Sequence, residues 1–539
     1  MFCIGLAAEA GLGSGLSIFH CEWFPQNVGG TLLEAGLGDG AGGEAGKREA
    51  EVGCGTARGR RPAGPRSPGA RFAPWGRGFC TAGSKLPKGR HPDGRTMNGL
   101  SAGAAAGGIT PRVGVDLSGY AARPGPSVAM HDELWCRALV LDDGARRVAI
   151  AALDLLGVDL ELDAAIREAA SVHVPPEHIL INCSHTHAGP SVTRLDRRVA
   201  PDLDYVSSLP TRIAAVVAEA ASRLAPAALR YGSTPARIGI NRRERTPDER
   251  TIIGRNPAGI VDDEMRALAV NTADGGPLAV VFHHACHGTT LGGENRLISA
   301  EWMGAACACL EQRTGVPALF LQGCAGQTNP DARERSFGEV ARLGQSACEA
   351  VVRALAAAEP IPGGPLAAHR ESIALPLQDP PDPKQARAGL AAAEAAAARA
   401  RSEGAHPYWV QALESCLPLA RQIVELADRG ATELTLPFAV QAMRMGDLAL
   451  VGLSGEVFLE FARRIAAASP FPHTWALGYS NGCECYVPTA EAFAEGGYEA
   501  DDSFRWYGTL PLAPEAGERM AEAAVRMLTE VKGAVAGNG

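Results

Sequence analysis

The segment Ile181–Ser191, INCSHTHAGPS, sets His185 and His187 two residues apart, directly after an apolar run. The chain has only 13 histidines in 539 residues, so two at the end of one strand-like segment call for a reason. Further ligand-type residues occupy comparable places: His287 in HHACHGTT and Glu456 in GLSGEVF. His283 and His284 are weaker candidates, because they lie inside the apolar run and at least one should face a core. Two or three imidazoles with one carboxylate suit a catalytic zinc ion, which keeps an open position and acidifies a bound water. These residues are far apart in sequence, so their spacing leaves a second reading open. The histidines could be hydrogen-bonded core residues, and Glu456 could serve the positive end of a helix EVFLEFARRI with Ser454 as its N-cap. Val457 stands where a capping box would need Glu or Gln.

The elements around these residues read as an alternation. Short apolar runs at 178–182, 277–284, 317–322, 448–453 and 474–480 each lead into a polar, Gly-containing segment. Helical patterns intervene at 205–224, 300–313 and 338–358. The run 135–157 reads as a hairpin around Asp143-Gly144. Strands alternating with helices give an α/β fold, here a mixed β-sheet core flanked by helices. In such folds ligands bind beyond the carboxyl ends of the strands, which is where His185, His287 and Glu456 fall.

Composition bounds the rest. Hydrophobic content of 46% against 21% charged permits a large core. A net charge of −9 excludes general nucleic-acid binding, which needs a basic footprint. No run of 18 apolar residues exists, so no transmembrane span is expected. The 14 cysteines are scattered, often in apolar stretches, and read as reduced structural thiols rather than a disulfide framework. Aromatic content of 5% leaves few residues for an acyl-chain channel.

Residues 1–96 are rich in Gly, Ala, Pro and Arg and carry no apolar periodicity. The expectation is a disordered extension, or upstream sequence before a true start at Met97. A transit peptide is a further reading, whereas MFCIGLAAEA has no basic region to make a signal peptide, which leans toward the cytoplasm. Residues 97–539 then form the catalytic domain, with an Ala-rich helical hairpin inserted near 381–431 and broken at Gly404–Pro407. The hairpin reads as a packing element, with a lid or partner surface as the alternative. The basic stretch 240–257 reads as a solvated loop, though Arg242 and Arg243 could meet an acidic substrate.

HTHAGP, HACHGTT, GLSGE, GYSNGCECYVPT and GGYE occur here in the order seen in the neutral (non-lysosomal) ceramidases, which the chain resembles from about Ile109 to about Leu528. The opening GITPRVGVDLSGYAARPGPS is also similar, and the shorter bacterial members are the nearest in kind. The resemblance implies a zinc-dependent amidase that cleaves ceramide, a lipid-like N-acyl substrate, to a fatty acid and sphingosine. It implies His185, His287 and Glu456 as zinc ligands, with Tyr486 completing the shell or stabilising an oxyanion and His187 orienting substrate or water. The family carries Gly-Asp-Val-Ser-Pro where this chain has Gly326-Gln327-Thr328-Asn329-Pro330. Asn329 cannot be a nucleophile. The expectation is therefore attack by zinc-activated water, with Asn329 or backbone N–H groups near Gly323 and Gly326 facing an oxyanion. The departure leaves other substrates open on the same scaffold (another amide, an ester, a sugar derivative), as well as a non-catalytic binding homologue.

Overall fold

The computed structural model describes residues 99–121, 123–193 and 201–534. The segment 1–96, with the expectations placed on it and on a start at Met97, lies outside the described residues. Strands Trp135–Asp142 and Arg147–Leu153 pair antiparallel, as the Asp-Gly signal requires. Asp143 Oδ1 accepts from the Ala145 and Arg146 amides at 2.9 and 2.8 Å, and Gly144 takes φ 82°. Along the first of these strands Cys136, Ala138 and Val140 enter one core while Leu139 and Leu141 enter another. Both faces of the sheet are thus covered, as period-2 alternation in an all-apolar strand demands.

Nine strands make this sheet, in the order Ala318–Gln322, Pro277–His284, Glu264–Thr272, Ala225–Pro235, Ser101–Gly108, Trp135–Asp142, Arg147–Leu153 and Ile179–Cys183, with Glu359–Ile361 also beside Ala225–Pro235. The outer pair at each end is parallel and the rest are antiparallel. A second sheet runs Leu366–Pro376, Thr435–Met445, Leu448–Leu453, His473–Leu477, and its last pair is also parallel. Leu139, Leu141 and Leu319 of the first sheet share one core with Met443, Leu450 and Trp475 of the second, so the sheets stack face to face. Helices Leu160–Ala170, Leu203–Ser222, Glu301–Thr314 and Phe337–Ala356 cover the outer face of the first sheet. Helices Leu459–Ala468 and Ala516–Gly533 cover that of the second. The α/β class with mixed sheets is as expected.

A parallel pair needs a crossover, and each of the three is a strand–helix–strand unit. Helix Leu160–Ala170 joins Arg147–Leu153 to Ile179–Cys183. Helix Glu301–Thr314 joins Pro277–His284 to Ala318–Gln322, and Leu459–Ala468 joins Leu448–Leu453 to His473–Leu477. The carboxyl ends of the strands in these units supply the centre described below. Two buried amides tie them together: Asn182 Nδ2 donates to the Gly478 and Gln322 carbonyls, and Gln322 Nε2 donates to those of Ser184 and Cys286.

Between Leu366–Pro376 and Thr435–Met445 the chain forms helices Pro383–Ser402, Pro407–Ser415 and Leu417–Asp428. The first break falls at Gly404, φ 71°. Leu419, Ile423 and Leu426 pack with Phe504 and Leu510, and the Tyr408 hydroxyl donates to Asp116 at 3.1 Å. Among the described residues no helix is long and apolar enough to cross a membrane.

Two expectations need correction here. Cys309 and Cys348 form a disulfide, with Cα atoms 6.2 Å apart, between helices Glu301–Thr314 and Phe337–Ala356. These helices approach closely because Gly344 leaves no side chain between them: a Cβ there would lie 2.5 Å from that of Ala305. Cys136, Cys183, Cys286, Cys307, Cys324, Cys483 and Cys485 are the buried thiols expected. Glu456 does not start a helix. It pairs with Tyr486 in a short parallel strand, and the helix begins at Leu459. Ser454 accepts from the Ala439 amide at 2.7 Å instead of capping.

Helix Phe337–Ala356 also rests on Gly232, where a Cβ would meet the Ala354 carbonyl oxygen at 2.0 Å. Gly232→Val should cost about 1–3 kcal/mol by overpacking. Urea unfolding measures it, and a change below about 0.5 kcal/mol, the range of neutral surface changes, would contradict this packing.

Candidate metal centre

His185 and His187 follow strand Ile179–Cys183, and His287 follows Pro277–His284. An isolated bridge between Thr186 and Gly288 joins the two loops, and the His187 amide donates to the Gly288 carbonyl at 2.9 Å. Glu456 follows Leu448–Leu453, and its amide donates to the Cys485 carbonyl at 2.9 Å. His185 holds φ 61°, and nearby Tyr479 and Asn481 hold 54° and 62°. Non-glycine residues in this region cost of order 1–3 kcal/mol each and persist where the surroundings over-determine them. Gly119, φ 98°, makes room for the His187 ring, since a Cβ there would lie 2.3 Å from Nδ1.

The rings converge through Nε2. His185 Nδ1 lies 2.6 Å from the Leu156 carbonyl oxygen, and His287 Nδ1 lies 2.9 Å from that of Ala325. A carbonyl only accepts, so both rings carry their proton on Nδ1 and present a bare Nε2. His185 Nε2 is 3.1 Å from His187 Nε2 and 3.4 Å from Glu456 Oε2. His287 Nε2 is 3.1 Å from the same oxygen. Two bare nitrogens and a carboxylate oxygen at such distances repel unless a cation sits among them. A tetrahedron with arms of about 2.0–2.1 Å has edges of about 3.3–3.4 Å, so the donor set fits a zinc-like ion. The three imidazole donors lie within 4.8 Å of one another. His185, His287 and Glu456 are 1%, 0% and 3% exposed, so water does not solvate them individually.

Burial and the adjacent Arg242 push His287 down to about 4, with Glu456 opposing in part. Burial alone would raise Glu456, but the facing His185 and His287 outweigh it and hold the carboxyl well below its usual range. Near neutral pH His287 is therefore neutral and Glu456 ionised, the forms that bind a cation. A small cavity adjoins the centre, walled by Leu156, Val192, Tyr498, Trp506 and Tyr507. Four aromatic residues, Tyr486, Tyr498, Trp506 and Tyr507, line it.

Arg242 corrects another expectation. It and Arg243 lie in strand Gly239–Arg245, buried, and not in a solvated loop. Both pair with buried Glu499, Arg242 Nε to Oε1 at 2.7 Å and Arg243 Nη1 to Oε2 at 2.8 Å. The remaining donors of Arg242 face the centre: Nη1 is 3.2 Å from His287 Nε2 and 3.3 Å from Asn329 Oδ1, and Nη2 donates to the Tyr486 hydroxyl at 3.0 Å. Tyr486 thus lines the cavity with its oxygen tied to a guanidinium, and Asn329 reaches the centre through the same group. Tyr479, Tyr507 and Glu499 are residues that motif spacing did not single out for a role.

The other sequence candidates stand aside. His283 Nδ1 lies 3.2 Å from the Leu321 carbonyl, with its ring on Trp475, and His284 lies 3.5 Å from Asp262. Gln327 accepts from the Leu459 amide at 3.1 Å and so caps helix Leu459–Ala468. Cys324 Sγ turns to the Ala476 carbonyl in the core of the second sheet. The Gly323 and Gly326 amides donate to the His284 and Val457 carbonyls at 3.0 Å each, so neither is available to an oxyanion.

Residues 101–370, half of the chain, match the model for the N-terminal domain of neutral/alkaline non-lysosomal ceramidases. The chain belongs to that family. It is 24% identical to the neutral ceramidase of Pseudomonas aeruginosa over 450 residues, 71% of this chain and 66% of that protein. It is likewise 24% identical to the neutral ceramidase of Mycobacterium tuberculosis over 462 residues, 72% of each. The crystal structure of the Pseudomonas enzyme superposes with TM-score 0.62 at 20% identity, covering 80% of this chain and 74% of that one. A ceramidase complexed with C2 gives 0.63 at 20% identity, over 80% and 75% of the two chains. These likenesses confirm the fold read from the strand–helix alternation.

Glu301 supports the His287 loop. It is buried and accepts from the Leu291 and Trp302 amides at 2.9 and 3.2 Å, and the Trp302 indole donates to the His287 carbonyl at 2.8 Å. Burial pushes its carboxyl up to about 7 from 4.5. The folded protein then holds a proton that the unfolded chain has released, so stability falls as pH rises from 4.5 through 7. Glu301→Gln should flatten that fall in urea unfolding between pH 5 and 7.5. Parallel slopes in the two proteins would contradict it.

Proposed function

We propose that this chain hydrolyses the N-acyl amide bond of ceramide at a zinc ion held by His185, His287 and Glu456. The convergence of bare Nε2 atoms on Glu456 Oε2, in a chain of the ceramidase family, carries the reading. Zinc, when bound, would polarise the amide carbonyl and lower the pKa of a coordinated water. Tyr486 lines the cavity with Arg242 bonded to its hydroxyl, and the pair would supply a phenol and a fixed positive charge where an oxyanion develops. His187 lies within reach of His185 and orients water or substrate. Asn329 positions the Arg242 fork through its side-chain oxygen. With Gln327 turned to capping, Asn329 to Arg242 and the Thr328 hydroxyl buried, water rather than a side chain is the nucleophile. The catalytic domain is the segment 97–539, with 381–431 inserted into it.

Purified full-length protein supplied with zinc should release sphingosine from an N-acylsphingosine. Glu456→Ala should abolish turnover. Arg242→Lys, which loses the planar fork, should lower kcat by about 10²–10³. No turnover by zinc-loaded protein would sink ceramide as substrate. Activity on another amide or an ester would then identify a hydrolase of the same scaffold with a different substrate.

A further inference from the structure

The two carboxylate oxygens of Glu456 face different surroundings. Oε2 looks into the imidazole cluster, 3.4 Å from His185 Nε2 and 3.1 Å from His287 Nε2. Oε1 accepts from the Tyr507 hydroxyl, and Tyr479 adds a bond to Oε2 at 3.3 Å. A carboxylate can ligate a cation through one oxygen or both. A phenol seated on Oε1 occupies one of its lone pairs and competes with a second metal bond there. It also fixes the rotation of the carboxylate plane, so that only Oε2 points inward.

The Tyr507 ring is held where this takes effect. It ends the short helix Phe504–Tyr507, after which Gly508 reverses the chain at φ 68°. Its ring stands edge-on to Tyr486, with centroids 6.0 Å apart at 81°, and Cys483 Sγ lies 3.8 Å from its hydroxyl. A few residues earlier the same segment supplies Glu499, which holds Arg242 and Arg243. One stretch of chain therefore anchors both the guanidinium and the carboxylate of the centre. Outer partners of this kind tune a metal site as strongly as many ligands do.

Resting on the reading that this cluster holds a metal ion, we propose that Tyr507 is a positioning residue. It confines Glu456 to ligation through one oxygen and so keeps a coordination position open. A catalytic zinc site needs that vacancy, whereas a closed site is structural. Tyr479, on the inward oxygen, does not have this effect.

The test is the visible absorption of the full-length protein loaded with cobalt(II), whose bands are strong at four-coordinate sites and weaken as coordination number rises. Wild type should give strong bands. Tyr507→Phe, which keeps the ring, should retain cobalt but give weaker bands, with kcat lower by about 10–100-fold. Tyr479→Phe should keep the strong bands. Superimposable spectra for wild type and Tyr507→Phe would overturn the proposal. Equal weakening in both variants would also overturn it, because general loosening and not Oε1 would then be responsible. Wild type that takes up no cobalt would remove the metal reading and this inference with it. Cobalt uptake without ceramide hydrolysis would remove the substrate alone.

Discussion

The centre depends on one electrostatic constraint: acceptors brought together where water cannot reach them. His185 and His287 each spend their Nδ1 proton on a backbone carbonyl, which leaves two bare nitrogens facing Glu456 Oε2. Left without a cation, that arrangement stores repulsion and the desolvation cost of an ionised carboxylate. A bound divalent ion turns the same contacts into attraction. The fold accepts the strain because the ligands hang from strand ends fixed by two buried sheets. His185, Tyr479 and Asn481 hold positive φ at those ends, where backbone geometry has given way to the placement of side chains.

A second buried charge system stands beside the first. Arg242 is surrounded by an imidazole nitrogen, a phenol and an amide oxygen, and Glu499 balances its charge from behind. Burial would discourage a guanidinium here, but Tyr486 and Glu499 hold it cationic. Removing Glu499 would leave Arg242 as an uncompensated buried charge, the costly case among buried ion pairs. The centre therefore joins a region rich in acceptors to a fixed cation, a combination that can polarise a carbonyl and receive the charge that develops on it.

Much of this was legible because ligands that follow apolar strands announce themselves. His185, His287 and Glu456 each come within a few residues of a strand end, so hydrophobic runs alone put them at one edge of the fold. The helices between parallel strands were legible for the same reason. Arg242 was not, because the strand Gly239–Arg245 carries GINRRER with no apolar alternation, and its charges are paid by a glutamate more than 250 residues away. The helix-start reading held open beside the ligand reading of Glu456 fails, since its pairing with Tyr486 is a tertiary contact that no window on the sequence contains. The Cys309–Cys348 link escaped for the same reason, being set by how closely two helices pack around Gly344.

The most direct test of the central claim is metal content, by native mass spectrometry of the full-length protein purified without added chelator. The account predicts one zinc-sized divalent ion per chain, lost from a His185→Ala, His287→Ala double variant that remains folded, and a higher melting temperature for the loaded wild type. A wild-type protein that carries no metal, and whose melting temperature does not move when zinc is added, would contradict it.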